Sequence, residues 1–102
     1  MSNVFIKSGY VKDLLPAGTT GTPTGSWMYK DAPLTAIQVT STGAATVVFD
    51  VSNDGVNAIA TTLGTVTNAG AGTDGFVSNA PWKYIRARVT VNATAVTVTM
   101  SN

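Results

Sequence analysis

The chain has 102 residues, a formal net charge of +1, 11% charged residues, and neither cysteine nor histidine. That length suits one domain with a single core, near the size at which stability is marginal and oligomerisation helps. The composition excludes disulfides, thiolate or imidazole metal ligands and every catalytic pair built on Cys or His, and the weak charge argues against a nucleic-acid binder that relies on many phosphate contacts.

The start, MSNVFIKSGY, lacks the charged-then-apolar layout of a signal peptide, and no apolar stretch approaches the roughly 20 residues of a membrane helix. The chain is therefore expected to be made in the cytoplasm and to need no membrane. Residues 1–33 hold short apolar clusters, Val4-Phe5-Ile6 and Leu14-Leu15, divided by Gly, Pro and Thr without a sustained period. They read as an extended N-terminal arm with loops, with room for a short edge strand near Val4 to Ile6 or Gly9 to Leu14 and another at Trp27 to Lys30. Fully extended, the segment reaches roughly 110 Å at about 3.3 Å per residue.

From Leu34 to the end, the sequence reads as the core of a β-sandwich. Thr, Val, Ala and Gly dominate, and the residues that favour helices are scarce, so no helix is expected. Ile37 and Val39 alternate with polar neighbours, and Ala45, Val47, Phe49 and Val51 repeat the pattern after the small turn-prone STGA of 41–44. The Asn53-Asp54-Gly55 run that follows is a hairpin signal, because such residues tolerate tight-turn geometry. The next strand is weaker, with a bulge or break expected at Gly64, and TNAGAGTDG at 67–75 reads as a Gly-rich connection. Near the end, Ile85, Ala87, Val89 and Val91 fall on one face, opposite Tyr84, Arg86, Arg88 and Thr90; Val96, Val98 and Met100 then point inward. Together these segments predict an all-β, single-domain β-sandwich, jelly-roll-like or immunoglobulin-like, with residues 34–102 as its core and 1–33 as the extended segment.

Each candidate site has a structural explanation beside the functional one. Lys83, Arg86 and Arg88 form either a solvated strand face that discourages edge pairing or a surface for an acidic partner. Trp27, Tyr29, Trp82 and Tyr84 either cap the core or offer a stacking platform for a sugar. Asp50, Asn53 and Asp54 supply oxygen atoms at a turn, but too few for calcium, so no metal and no cofactor is expected. The five Asp residues are scattered, which leaves no local pair for acid and base catalysis and argues against an enzyme. Asn92-Ala93-Thr94 matches a glycosylation acceptor, which matters only on a secretory route.

The segments FDVSNDGVNAIAT, LGT and APWKYIRARVTVNATAVTVTM, from Phe49 to Met100, resemble small all-β virion proteins of tailed bacteriophages. Similar segments occur in capsid decoration (cement) proteins, in tail or neck components and in fibre domains. The resemblance implies a structural protein of the virion's outer capsid surface that binds the major capsid protein and bridges capsomers, as a homo-oligomer such as a trimer, without nucleic acid. The contacts expected on that reading are Val4, Phe5, Ile6, Tyr10, Leu14 and Leu15 from the arm, then Trp27 and Tyr29, with Arg86 and Arg88 answering acidic groups. The Arg86-Ala87-Arg88 stretch also looks like strands of discoidin-type carbohydrate-binding sandwiches, although this chain is shorter and lacks their cysteines. A carbohydrate-binding or receptor-binding module is the alternative.

Overall fold

The computed structural model describes residues 11–101. Eight strands follow one another: β1 (Val11–Thr19), β2 (Met28–Tyr29), β3 (Thr35–Ser41), β4 (Ala45–Ser52), β5 (Gly64–Asn68), β6 (Gly72–Ser78), β7 (Tyr84–Asn92) and β8 (Val96–Ser101). They form two four-stranded sheets, ordered β1-β8-β3-β6 and β2-β7-β4-β5, with every pairing antiparallel. Every step along the chain except β4 to β5 crosses from one sheet to the other. This is the strand order of a jelly roll, and it decides between the two sandwiches that the periodicity allows.

The core follows from the two-residue period of the strands. Ile37, Val39, Val96, Val98 and Met100 come from one sheet and Val47, Phe49, Val51, Ile85, Ala87 and Val89 from the other, all buried. Phe49 and Phe76 meet edge to face across the interior with ring centroids 5.5 Å apart. Burying a side chain of this size contributes about 1.5 to 3 kcal/mol.

Leu14 and Leu15 correct the expectation of an arm that reaches out to a partner. Both are buried, at 5% and 4% exposure, in the same core. The alternation rule would turn one of two consecutive residues outward. Here the ladder between β1 and β8 shifts register between Asp13 and Leu15, and the bulge lets both side chains face inward. Residues 11–33 thus supply an edge strand to each sheet.

Three further expectations change in the structure. The chain does return beside β4, but through residues 53–63 and not a two-residue turn, with the Ile59 and Leu63 amides donating to the Val51 and Phe49 carbonyls at 3.1 and 2.8 Å. The break at Gly64 is where β5 begins. Residues 72–75, read as a flexible connection, belong to β6 and pair with the Gln38 to Ser41 half of β3. Gly75 is required there, because a Cβ at that position would collide with the carbonyl oxygen of Ile37. Finally, Val91 is 49% exposed and not inward. Val47 pairs with Val89 and Thr46 with Val91, so Thr90 is an extra residue that inverts the alternation behind it.

Candidate functional site

The outer face of the β2-β7-β4-β5 sheet concentrates the side chains that carry chemistry. Asp50 points outward from β4, directly opposite Arg86 of β7. It is nonetheless buried, at 3% exposure, because the two arginines lie over it. Arg88 Nε donates to Asp50 Oδ2 at 3.0 Å and Arg88 Nη2 to Oδ1 at 3.1 Å, while Arg86 Nε donates to Oδ2 at 3.0 Å. Such charge-assisted, two-point contacts are strong and directional. Burial of Asp50 acts to raise its pKa, but the hydrogen bonds and charges of Arg88 and Arg86 outweigh it and hold the carboxyl below its usual range. The same bonds raise the Arg88 pKa.

Arg86 is held from its other side by Trp27, whose ring lies 4.5 Å beneath the guanidinium carbon. The segment that carries Trp27 is pinned to β7 by backbone hydrogen bonds: the Gly25 amide donates to the Ala87 carbonyl at 2.7 Å, and the Val89 amide to the Pro23 carbonyl at 3.0 Å. Gly25 has to be glycine, since a Cβ would lie 2.9 Å from the Leu14 carbonyl oxygen. Beside this cluster, Tyr29 and Tyr84 pack edge to face at 5.5 Å, and Tyr29 stays half exposed.

The sequence-predicted contacts therefore divide. Trp27, Tyr29, Arg86 and Arg88 come together on one face, which the period of β7 indicates for the arginines, while the pairing of β2 with β7 supplies Tyr29 and the bonds of Pro23 and Gly25 to β7 supply Trp27. Leu14 and Leu15 are buried in the core and not on that face. Val4, Phe5, Ile6 and Tyr10 lie outside the described residues. Asp50 was not expected here, although an acidic residue at an outward position opposite an arginine is the signal that would have found it. The bare solvent-side stripe expected of Arg86 and Arg88 is instead a paired cluster with one excess positive charge. Trp82 is partly buried against the core, as a cap.

Other polar positions are occupied by structural work. The Asp54 carboxylate accepts hydrogen bonds from the amides of Asn57 and Val56, both at 2.9 Å, from Ser52 Oγ at 2.7 Å and from Asn57 Nδ2 at 2.9 Å. Led by the Asn57 amide, these bonds hold its pKa well below the usual range, and Gly55 completes the turn with a positive φ of 69°. Lys30 is buried, donates to the Ala80 carbonyl at 2.6 Å and has its pKa lowered by desolvation. Asn92, the glycosylation match, spends its side-chain amide on the Thr19 and Gly21 carbonyls at 3.1 and 2.9 Å. On the opposite sheet, a depression of about 400 Å³ lined by Val11, Ala36, Ile37, Gln38, Thr99 and Ser101 contains no titratable group. Among the described residues no group of three or more acidic side chains is placed to hold a metal ion. No protein family, curated protein or solved structure matches the chain.

Proposed function

We propose that this protein is a structural component of a tailed-phage virion, a capsid decoration protein that binds the major capsid protein on the outer shell and bridges capsomers, assembled as a trimer after synthesis in the host cytoplasm. It is not an enzyme on this reading. The observation that carries it is the face built from Trp27, Tyr29, Tyr84, Arg86 and Arg88. Tyr29 is exposed on it and Trp27 and Tyr84 are partly so, and aromatic residues and arginines held rigidly in place are the side chains that dominate protein interfaces, since they bring large contact area and directed hydrogen bonds at little entropic cost. Asp50 fixes the arginines in advance, and the jelly roll that presents them is an architecture common to viral capsid and lectin domains.

The test mixes the purified protein with undecorated capsids of the parent particle and measures co-sedimentation and heat tolerance. Saturable binding that raises the temperature of capsid disruption supports the proposal. Absence of binding removes the shell from consideration and moves attention to tail components.

The same architecture in lectin domains favours a second reading, a carbohydrate-binding module. Its geometry is less favourable: Arg86 already covers a face of Trp27, Trp82 packs against the core, and Tyr29 is left as the open ring. A glycan array without a hit for the soluble protein would dispose of it.

A further inference from the structure

The edges of a sheet carry unpaired backbone groups, and native sandwiches blunt them against other chains. Three of the four edges here are blunted. β1 contains Pro16 and two register shifts, β2 is two residues long, and β5 has five residues. β6 differs. Its seven residues pair with β3 without a register shift, it has no second neighbour in its sheet among the described residues, and it contains neither proline nor lysine.

A single group guards this edge. The Gly75 amide donates at 2.8 Å to the carboxylate of Asp74, the residue before it, so this N–H is satisfied off the ladder. The two-residue period of a strand puts the backbone groups of Thr73 and Val77 on the same side. Asp74 itself occupies a core-facing position, opposite Val39, but at the rim it is exposed. An inward-pointing charge of this kind is one of the devices that discourage strand addition. It also selects: an added strand that brings a basic side chain compensates the carboxylate and releases the amide, whereas a neutral or acidic one does not.

We propose that β6 is an assembly edge whose occupant is the N-terminal segment of a second copy of this chain, drawn from residues 1–10. The chemistry of the two sequences is complementary. MSNVFIKSGY carries one basic side chain, Lys7, and no acid, next to the strand-favouring Val4-Phe5-Ile6, while Asp74 is the only charged residue of β6. The length suffices, because at least ten residues precede Val11 and β6 offers seven positions. The occupant comes from another copy because β1 and β6 are opposite edges of one sheet. Crossing three strand spacings, about 14 Å, would use about four extended residues, which are those from Lys7 to Tyr10, and would leave Lys7 short of Asp74, whereas a second copy's segment can bring it there. A contact in which one copy's segment fills the next copy's edge is head-to-tail, and such contacts build rings where the rotation between copies closes and filaments where it does not. The inference concerns how copies join and holds whether or not the particle is a phage capsid.

Light scattering across a concentration series, with circular dichroism to confirm folding, tests it on the full chain. The wild type is expected to assemble, Asp74→Lys or Lys7→Asp alone to weaken assembly at least tenfold, and the double charge reversal to restore it. Amide exchange at Thr73, Gly75 and Val77 should slow as the oligomer forms. A chain that stays monomeric at all concentrations, single reversals without effect, a double reversal that fails to restore assembly, or unchanged exchange along β6 in a formed oligomer would each overturn it. Capsid binding is read separately, so failure of one proposal leaves the other standing or falling on its own result.

Discussion

Arg88 grips Asp50 at two points, Nε to Oδ2 at 3.0 Å and Nη2 to Oδ1 at 3.1 Å, on the outer side of a sheet where an aspartate would ordinarily be hydrated. Arg86 completes the cluster from the opposing position on β7. Removing the carboxylate leaves two guanidinium groups side by side with no counter-charge. Asp50→Asn is therefore expected to destabilise the fold by about 2 to 4 kcal/mol, in line with breaking a largely buried ion pair from one side. Arg86→Ala, which leaves the Arg88 pair in place, should cost less. Urea unfolding of the two variants checks the order.

Acid should act through the same groups. Asp50 and Asp54 both have folded pKa values below the ordinary aspartate value of about 3.9. As pH falls below that value, the unfolded chain takes up protons that the folded chain still refuses, so their contribution to stability is complete above it and is lost as pH falls through the folded values. The urea midpoint is expected to drop between pH 5 and pH 2 in the wild type, here about the span of an aspartate titration. It should drop less in an Asp50→Asn, Asp54→Asn double variant.

The close approach of β6 to β3 gives a paired test of backbone geometry. Gly75→Ala drives a methyl group into the Ile37 carbonyl, whereas a Cβ at Gly72, in the same strand, meets nothing within 4 Å. The first substitution is expected to lower the melting temperature by several degrees, about what a loss of 1 to 2 kcal/mol produces in a chain of this size. The second should leave it nearly unchanged. Thermal denaturation followed by circular dichroism distinguishes the two.

Tyr29 is the test residue for the proposed contact face, because it is half exposed and can be changed without opening the core. Tyr29→Ser should lower the melting temperature by no more than a few degrees, since exposed substitutions stay within about 0.5 kcal/mol and only the edge contact with Tyr84 is lost. It should weaken capsid binding about tenfold or more, the loss expected of an aromatic at the centre of an interface. Co-sedimentation titrations give the comparison. Equal affinity for the two proteins would mean that this face is not the contact.

Much of the fold was legible because a strand repeats every two residues and a sandwich buries one side of it. Ile37, Val39, Val47, Phe49, Val51, Ile85, Ala87, Val89, Val96, Val98 and Met100 could be assigned to the interior from alternation alone, and all are there. The failures fall where the period is interrupted. Val91 and the Leu14-Leu15 pair each lie beside a register shift, and a bulge is set by the partner strand, which local sequence does not describe. Gly72 to Gly75 looked like a linker because glycine weakens a strand. The close approach of β3 that makes glycine necessary at position 75 is a contact between residues far apart in the chain.

The site divides in the same way. Sequence alone determined that the chain is all-β and that no Cys or His chemistry is open to it. It also placed Arg86 and Arg88 on one side of their strand, because composition and alternation are properties of neighbouring residues. Tertiary structure decided that the strands follow a jelly-roll order, that Asp50 lies between the two arginines, and that Trp27 supports one of them. Those relationships join β4, β7 and the segment before β2 across sequence separations as wide as that from Trp27 to Arg86, and cross-strand pairing, which brings such distant residues together, has no local signature.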